Sequence, residues 1–496
     1  MALAVFPQST GASIPETPPV EMVDAHLPEP AAVIQRRPLT PRLVTSLIAV
    51  IVGSLILRIA AQAMGQMLQF YFATIDRNYY HISFTIRGLV IASFFITELF
   101  GSPLLGALSD RFGRKSFIIL GPLFGAIAVQ MTSMTMVLGI LVVTRLLEGL
   151  STASSIPATL GYISEATTGR PNLRARVMGM FEITFVGGVA IGSFLSGYLW
   201  KFFGSPRALG PLPMIAPAFA VDGLVYLVSL AIFAIGLRDI NARMLHRDDS
   251  VPPNFVLQRV TVHKPPAALA RHYLDLVRSP RVWRFVPAWL AINSIIGLWL
   301  NHSVGLLSGK DHYNHQLLMG YFLPVKVGNG LALFATVFGC GVLMWSFVIG
   351  RYRKTSVMLV AAAGLFLTVL AVYSLNHLDT LSSPLFYPLL GSVLVGLFVM
   401  SAFTPAALTY LADVTESHAQ DRGSIMGLYT VFLGIGQLIG TLIGGRFATW
   451  RGIDGVLILS ALLGAITTMT LVQLHSRESL PVPEPPGPES DPESDT

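Results

Sequence analysis

The sequence predicts an all-α membrane protein with 12 transmembrane helices in two pseudo-symmetric six-helix bundles. Three observations point there: 53% hydrophobic against 12% charged residues over 496 positions; successive apolar segments near the ~20 residues a bilayer crossing needs; and an internal repeat that superposes the two halves. A mean hydropathy of +0.63 excludes an ordinary soluble protein. The formal charge of +6 could suit nucleic acid, but Lys and Arg sit in short loops between apolar segments, as membrane topology requires, so no nucleic-acid partner is expected. The single cysteine, Cys340, lies in an apolar stretch. Neither a disulfide framework nor a thiolate metal site follows, and no cofactor or metal is expected.

Residues 1–42 are rich in Pro, Glu, Ala and Thr and end in Arg36, Arg37 and Arg42. They read as a disordered cytoplasmic tail, and residues 1–6 lack the basic flank and length of a signal peptide. Spans follow at 43–73, 84–108, 116–134, 137–160, 176–199 and 216–237, giving a first six-helix bundle over 43–237. A basic linker, 238–283, includes a stretch at 267–277 that suits a helix lying on the membrane surface. The second bundle, 284–474, places spans at 284–306, 328–350, 355–375, 385–411, 424–447 and 453–474. Residues 475–496 form an acidic, Pro-rich tail expected to be disordered. Most basic residues fall on the side that holds both termini, which makes that side cytoplasmic.

The repeat has an offset of 413 − 165 = 248 positions. It aligns Pro157 with Pro405, Tyr162 with Tyr410, Glu165 with Asp413, Arg174 with Arg422, and Gly188, Gly192 and Gly197 with Gly436, Gly440 and Gly445, without a gap. Helices four and five thus match ten and eleven, as expected of halves related by an axis along the membrane normal.

Ionisable groups inside a span are functional suspects, because lipid makes them costly. Helix one carries Arg58 with Ser54, Gln62, Gln66 and Gln69 at intervals of three to four residues, a polar stripe suited to a water-filled cavity. Glu98 stands 12 residues before Asp110, about 18 Å from that end, and Arg58 lies about 22 Å in. An Arg58–Glu98 pair could serve as a static helix clamp or as a proton-linked switch. In helix four, Glu148 is one turn from Arg145; a proton on the acid would free the Arg for an anion or another acid. Glu182 and Asp222 fall nearer the membrane surfaces and read as interfacial. Helices seven to twelve carry no deep ionisable group on this reading. They offer Asn293, Trp299, Ser401, Thr404, Tyr429 and Gln437 as an uncharged lining, each of which could equally be a packing residue.

Between spans two and three stands Gly106-Ala107-Leu108-Ser109-Asp110-Arg111-Phe112-Gly113-Arg114-Lys115. This turn resembles the major facilitator superfamily signature G-x-L-[AS]-D-R-x-G-R-[RK] at every fixed position. Arg145-Leu146-Leu147-Glu148-Gly149 is similar to the helix-four signature R-x-x-[QE]-G, whose Arg the family implicates in proton transfer in its antiporters. Residues 188–197 look like the antiporter signature G-x-x-x-G-P-x-x-G-G, with Ser193 in place of the proline and Ser196 in place of a glycine.

The resemblance implies alternating access of two bundles around a central site. It also implies a latch in which Asp110 meets the start of helix eleven and Arg111 meets Glu165, favouring the outward-open state. The second-half counterpart, 350–354, lacks the acid, so the latch should be one-sided.

The expected function is therefore a secondary active transporter, most like the proton-coupled drug and tetracycline exporters, that moves an amphipathic small molecule against protons. It would act as a monomer in the plasma (cell inner) membrane. Proton-coupled or facilitated uptake of a metabolite is the alternative, and a non-transporting membrane sensor a third. An enzyme is not expected: no nucleophile elbow, Walker loop, HExxH or metal-ligand cluster occurs. Proton coupling is assigned to Glu98, Arg145, Glu148 and Arg58. The substrate cavity is assigned to Gln62, Gln66, Gln69, Asn293, Trp299, Tyr429 and Gln437. Gly106, Asp110, Arg111, Gly113, Arg114 and Glu165 form the latch.

Overall fold

The computed structural model describes residues 40–79, 81–168, 170–204, 207–209, 212–238, 280–308, 315–320, 322–414 and 422–478. The expected tails and the surface helix at 267–277 lie outside them. The first half contains α1 (Pro41–Asn78), α2 (Phe84–Phe112), α3 (Arg114–Ser133), α4 (Leu138–Ala166) and α5 (Pro171–Phe203). A two-stranded antiparallel hairpin, β1 (Arg207–Leu209) and β2 (Leu212–Met214), precedes α6 (Pro217–Gly236). The second half contains α7 (Pro280–Ser308), α8 (Pro324–Val348), α9 (Lys354–Asn376), and α10 in two pieces, Phe386–Met400 and Phe403–Val414.

One helical run, Arg422–Glu478, completes the chain, and its backbone leaves helical geometry at Arg451 and Gly452. That bend separates α11 (422–450) from α12 (453–478). Among the described residues eleven stretches are long and apolar enough to cross a membrane, and the last of them is this bent pair, which agrees with 12 crossing helices.

The helices run past the apolar spans read from sequence because their ends are capped. Thr40 accepts the Leu43 N–H on its hydroxyl at 3.3 Å, with Pro41 at the first helical position. Ser83 does the same for Ile86 at 3.4 Å. The break in α10 falls at Ser401 and Ala402, one turn before Pro405, which can give no backbone N–H to the preceding turn. Its repeat partner, Pro157, sits inside an unbroken α4.

The surface where α1 begins is called here the near face and the opposite one the far face. Within each half, glycines set the packing. Gly188 and Gly192 of α5 lie where a Cβ would run into Arg58 and Gln62 of α1; Gly436 and Gly440 of α11, 248 positions on, meet Asn293 and Ser294 of α7 in the same way. The third glycine of each series crosses to the other half. Gly197 touches Pro324 and Val325 of α8, and Gly445 touches Phe84 and Thr85 of α2. The pseudo-twofold relation is thus written into the contacts as well as the sequence.

Candidate functional site

Arg58 of α1, Glu98 of α2 and Glu182 of α5 interact electrostatically around the Arg58 guanidinium. Arg58 and Glu98 are half-buried and Glu182 is exposed. The expected Arg58–Glu98 ion pair is not formed: no ion pair within 4.0 Å joins them. The close approach of Gly188 draws the Arg58 stem onto α5, where the guanidinium lies 4.8 Å from the Phe181 ring centroid and 5.1 Å from that of Phe185. Three helices therefore present one base and two acids to a partly exposed junction.

A second group is enclosed. Arg145 and Glu148 of α4, 5% and 2% exposed, form a direct ion pair on adjacent turns. The Arg145 guanidinium also lies 5.1 Å from the Phe94 ring centroid of α2. Gly149 brings α4 onto the Phe94 carbonyl and Thr97, and Thr97 donates its hydroxyl to the Leu146 carbonyl at 2.9 Å. Ser151 donates to the Gly121 carbonyl of α3 at 2.6 Å, so α4 is fastened on both sides of the pair. Asp222, which sequence position puts near a surface, has no exposed area at all. It stands six positions into α6, yet it points into the bundle, where it interacts with Glu148.

The polar stripe of α1 does not line one cavity. Gln66, 3% exposed, donates through Nε2 to the Ser193 hydroxyl at 2.6 Å and accepts the Ser196 hydroxyl on Oε1 at 2.9 Å. The two serines that depart from the antiporter signature thus clamp α5 to α1. Gln69 reaches the other half: its Nε2 donates to the Leu300 carbonyl at 3.3 Å and its Oε1 accepts the Gly305 N–H at 2.9 Å. Asn293, 2% exposed, donates to the Trp289 carbonyl, and Trp299 donates its Nε1–H to Ser460 of α12 at 3.0 Å. Both are packing groups of the second half. Gln62 and Gln437 keep partial exposure, whereas the side chain of Tyr429 lies outside the described residues.

At the near-face turn, Gly113 has a φ of 103°, which glycine reaches without strain. The turn aims Arg114, rather than the expected Arg111, at the end of α4. Arg114 pairs with Glu165 at 3.1 Å and directly with Asp110, and donates to the Ser109 hydroxyl at 3.2 Å. Gly161 leaves room for the guanidinium, and Gly106 for Pro157. Arg111 is exposed. The partner expected for Asp110 at the start of α11 has side chains outside the described residues.

The contacts described between the halves all lie from mid-membrane to the far face. There Thr85 and Thr449 meet, with the Thr85 N–H donated to the Thr449 hydroxyl at 3.0 Å. Gly88 abuts the Thr441 carbonyl, and Gly328 the Ser193 carbonyl. His302 of α7, 1% exposed, donates its Nε2–H to the Thr441 carbonyl at 2.8 Å. It is a buried ionisable group of the second half, six positions before the far end of α7. Beside it, Arg87 pairs with Asp76 at 3.1 Å, tying the end of α1 to the start of α2.

The family model described as Major Facilitator Superfamily matches residues 47–328 and 324–495. Among curated proteins, the chain is similar to "Multidrug resistance protein 1" of Bacillus subtilis (strain 168), at 34% identity over 121 residues, 24% of this chain and 31% of the relative. It is similar to "Tetracycline resistance protein, class E" of Escherichia coli at 24% identity over 294 residues, 56% of this chain and 66% of the relative. The matched stretch thus spans about a third of the first relative's length and about two thirds of the second's. Among solved structures, the bacterial homolog of the human lysosomal transporter Spinster, inward-facing and unoccupied, superposes with a TM-score of 0.63. That match has 15% identity and covers 88% of this chain and 95% of the other, so what it shows is the fold.

Proposed function

The chain belongs to the Major Facilitator Superfamily, and from that premise we propose that it is a secondary active transporter that exports an amphipathic small molecule in exchange for protons. Residues 43–237 and 284–474 are the two rocking bundles, joined by the linker 238–283. The protein works as a monomer in the plasma membrane with both termini in the cytoplasm, so the near face is the cytoplasmic one. Export is supported by the similarity to proteins named for multidrug and tetracycline resistance. The observation that carries proton exchange is the junction of Arg58, Glu98 and Glu182, where one base faces two acids in a partly exposed setting. A proton on Glu98 and a cationic or polar substrate compete for the unbalanced negative charge of this junction.

Uptake of a metabolite is the second reading. It is favoured by Ser193 and Ser196, which replace a proline and a glycine of the antiporter signature and lock α5 to α1 through Gln66.

The test is substrate-triggered proton movement in liposomes, with a pH dye inside and lipophilic cations, sugars and organic acids offered in turn. Antiport is expected to move protons against a lipophilic cation, and Glu98→Gln to abolish that movement. Sugar or acid entering together with protons would replace the export reading by uptake.

A further inference from the structure

Neither carboxylate oxygen of Asp222 has a hydrogen-bond partner among the described residues, and the hydroxyl of Tyr226, one turn on, has none either. Both groups are fully buried, on the face of α6 that turns into the bundle. The same face continues with Ser229, which donates to the Gly53 carbonyl of α1 at 2.8 Å, and with Phe233, which packs on Gly53. The Tyr226 ring rests on Gly125 of α3, at a spot that a Cβ would occupy. Across this interior α4 presents Glu148 and Arg145; Asp222 interacts electrostatically with Glu148, and Tyr226 with Glu148, Asp222 and Arg145.

Two acids and one guanidinium cannot all be ionised here without leaving a net negative charge in a dry interior, at several kcal/mol for the unpaired ion. Arg145 is engaged by Glu148. Among the described residues no other base faces Asp222: α3 has no Asp, Glu, Lys, Arg, His or Tyr between Ser116 and Ser133. On α1 and α5, Arg58 and Glu182 interact with each other, Tyr71 donates its hydroxyl to the Thr135 carbonyl at 2.7 Å, and Lys201 lies over the Phe202 ring. A metal ion would need more oxygen ligands than Asp222, Glu148 and Tyr226 supply. No group of three metal-ligating side chains occurs among the described residues. A proton remains.

We propose that Asp222 is a proton-carrying site inside the first bundle that exchanges its proton with the Arg145–Glu148 pair as α4 and α6 shift. This rests on the proton-exchange reading above and adds a second, enclosed station to it. In one arrangement Arg145 pairs with Glu148 and Asp222 holds the proton. In the other, the Asp222 O–H bond has broken, a Glu148 O–H bond has formed, and Arg145 pairs with the Asp222 carboxylate. The cluster is neutral in both, so switching moves no net charge through lipid. Tyr226 is a positioning residue that fills the space between α6 and Gly125 of α3 beside the acid.

The test uses the full chain in liposomes with 13C-carboxyl-labelled aspartate. Infrared spectra at neutral pH are expected to show a protonated-carboxyl C=O band that shifts with the label, is missing in Asp222→Asn and returns in labelled form only with Asp at 222. Asp222→Asn, isosteric with the protonated acid, is expected to cut substrate-coupled proton movement about 100-fold while substrate–substrate exchange continues. The proposal is overturned by absence of the labelled band in the wild type, or by undiminished proton coupling in Asp222→Asn. If Asp222→Asn does not fold, unlabelled Asp222→Glu in the 13C-aspartate background must lose the labelled band, and its persistence overturns the proposal. Wild-type substrate exchange with no proton movement overturns the antiport reading instead, and the labelled band still decides whether Asp222 holds a proton.

Discussion

The first bundle holds two groups of identical charge type, one arginine with two acids, in different surroundings. Arg58, Glu98 and Glu182 meet at a half-exposed junction of α1, α2 and α5, with the guanidinium resting on two phenylalanine rings and no direct ion pair. Arg145, Glu148 and Asp222 meet between α3, α4 and α6, with a direct ion pair and one acid left over. The surplus charge of the first group is open to screening from outside the bundle through the exposed Glu182 and the half-buried Arg58 and Glu98. The second has no such screen, and its ionisation is tied to the packing around it. In the proposed mechanism the same composition therefore gives a loading site in one setting and a store in the other.

That contrast can be broken most severely at Arg145. Arg145→Ala leaves Glu148 buried without its cation and is expected to destabilise the folded protein by about 3–5 kcal/mol, read as a lowered thermal transition in detergent. Adding Glu148→Gln is expected to recover much of the loss. Next is Gly125→Ala, which forces a methyl into the Tyr226 ring and is expected to cost about 1–3 kcal/mol by the same measurement. Ser193→Ala removes one hydrogen bond to Gln66 and is expected to cost about 1 kcal/mol, unfolding α5 from α1 slightly earlier. Smallest in stability is Glu98→Gln at the half-exposed junction, within about 0.5 kcal/mol. Its effect should appear in function: the rise of export as the far side is acidified, expected of an antiporter, should flatten. A large stability loss at Glu98 would erase the distinction between the two groups.

Much of the fold was legible because the bilayer imposes it. A crossing needs about 20 apolar residues, and shared glycines at an offset of 248 positions announced two related halves before any contact was known. The pairings were less legible, because span position measures depth and says nothing of direction around the helix axis. Asp222 looked interfacial from its place near the start of α6, yet Asp222, Tyr226, Ser229 and Phe233 recur at helical spacing and mark the inward face. Gln66 belonged to a convincing polar stripe, but its partners Ser193 and Ser196 lie about 130 residues away. Arg111 and Arg114 both stood near Glu165 in the turn. The positive φ of Gly113, which only the backbone reveals, selects Arg114.

The helices that wall in Asp222 are also the shortest of the first bundle. α3 and α6 have 20 residues each, about 30 Å, which is the thickness of the hydrocarbon layer itself; α1, with 38 residues, reaches about 57 Å. A change in lipid chain length therefore strains or tilts α3 and α6 first, while α1 absorbs it in its overhang. Asp222 lies about 8 Å from the far end of α6, so a thinner bilayer carries headgroup water toward it and a thicker one draws it further from any. On the proposed proton-carrying role, membrane thickness would thus act on this acid without altering a single side chain.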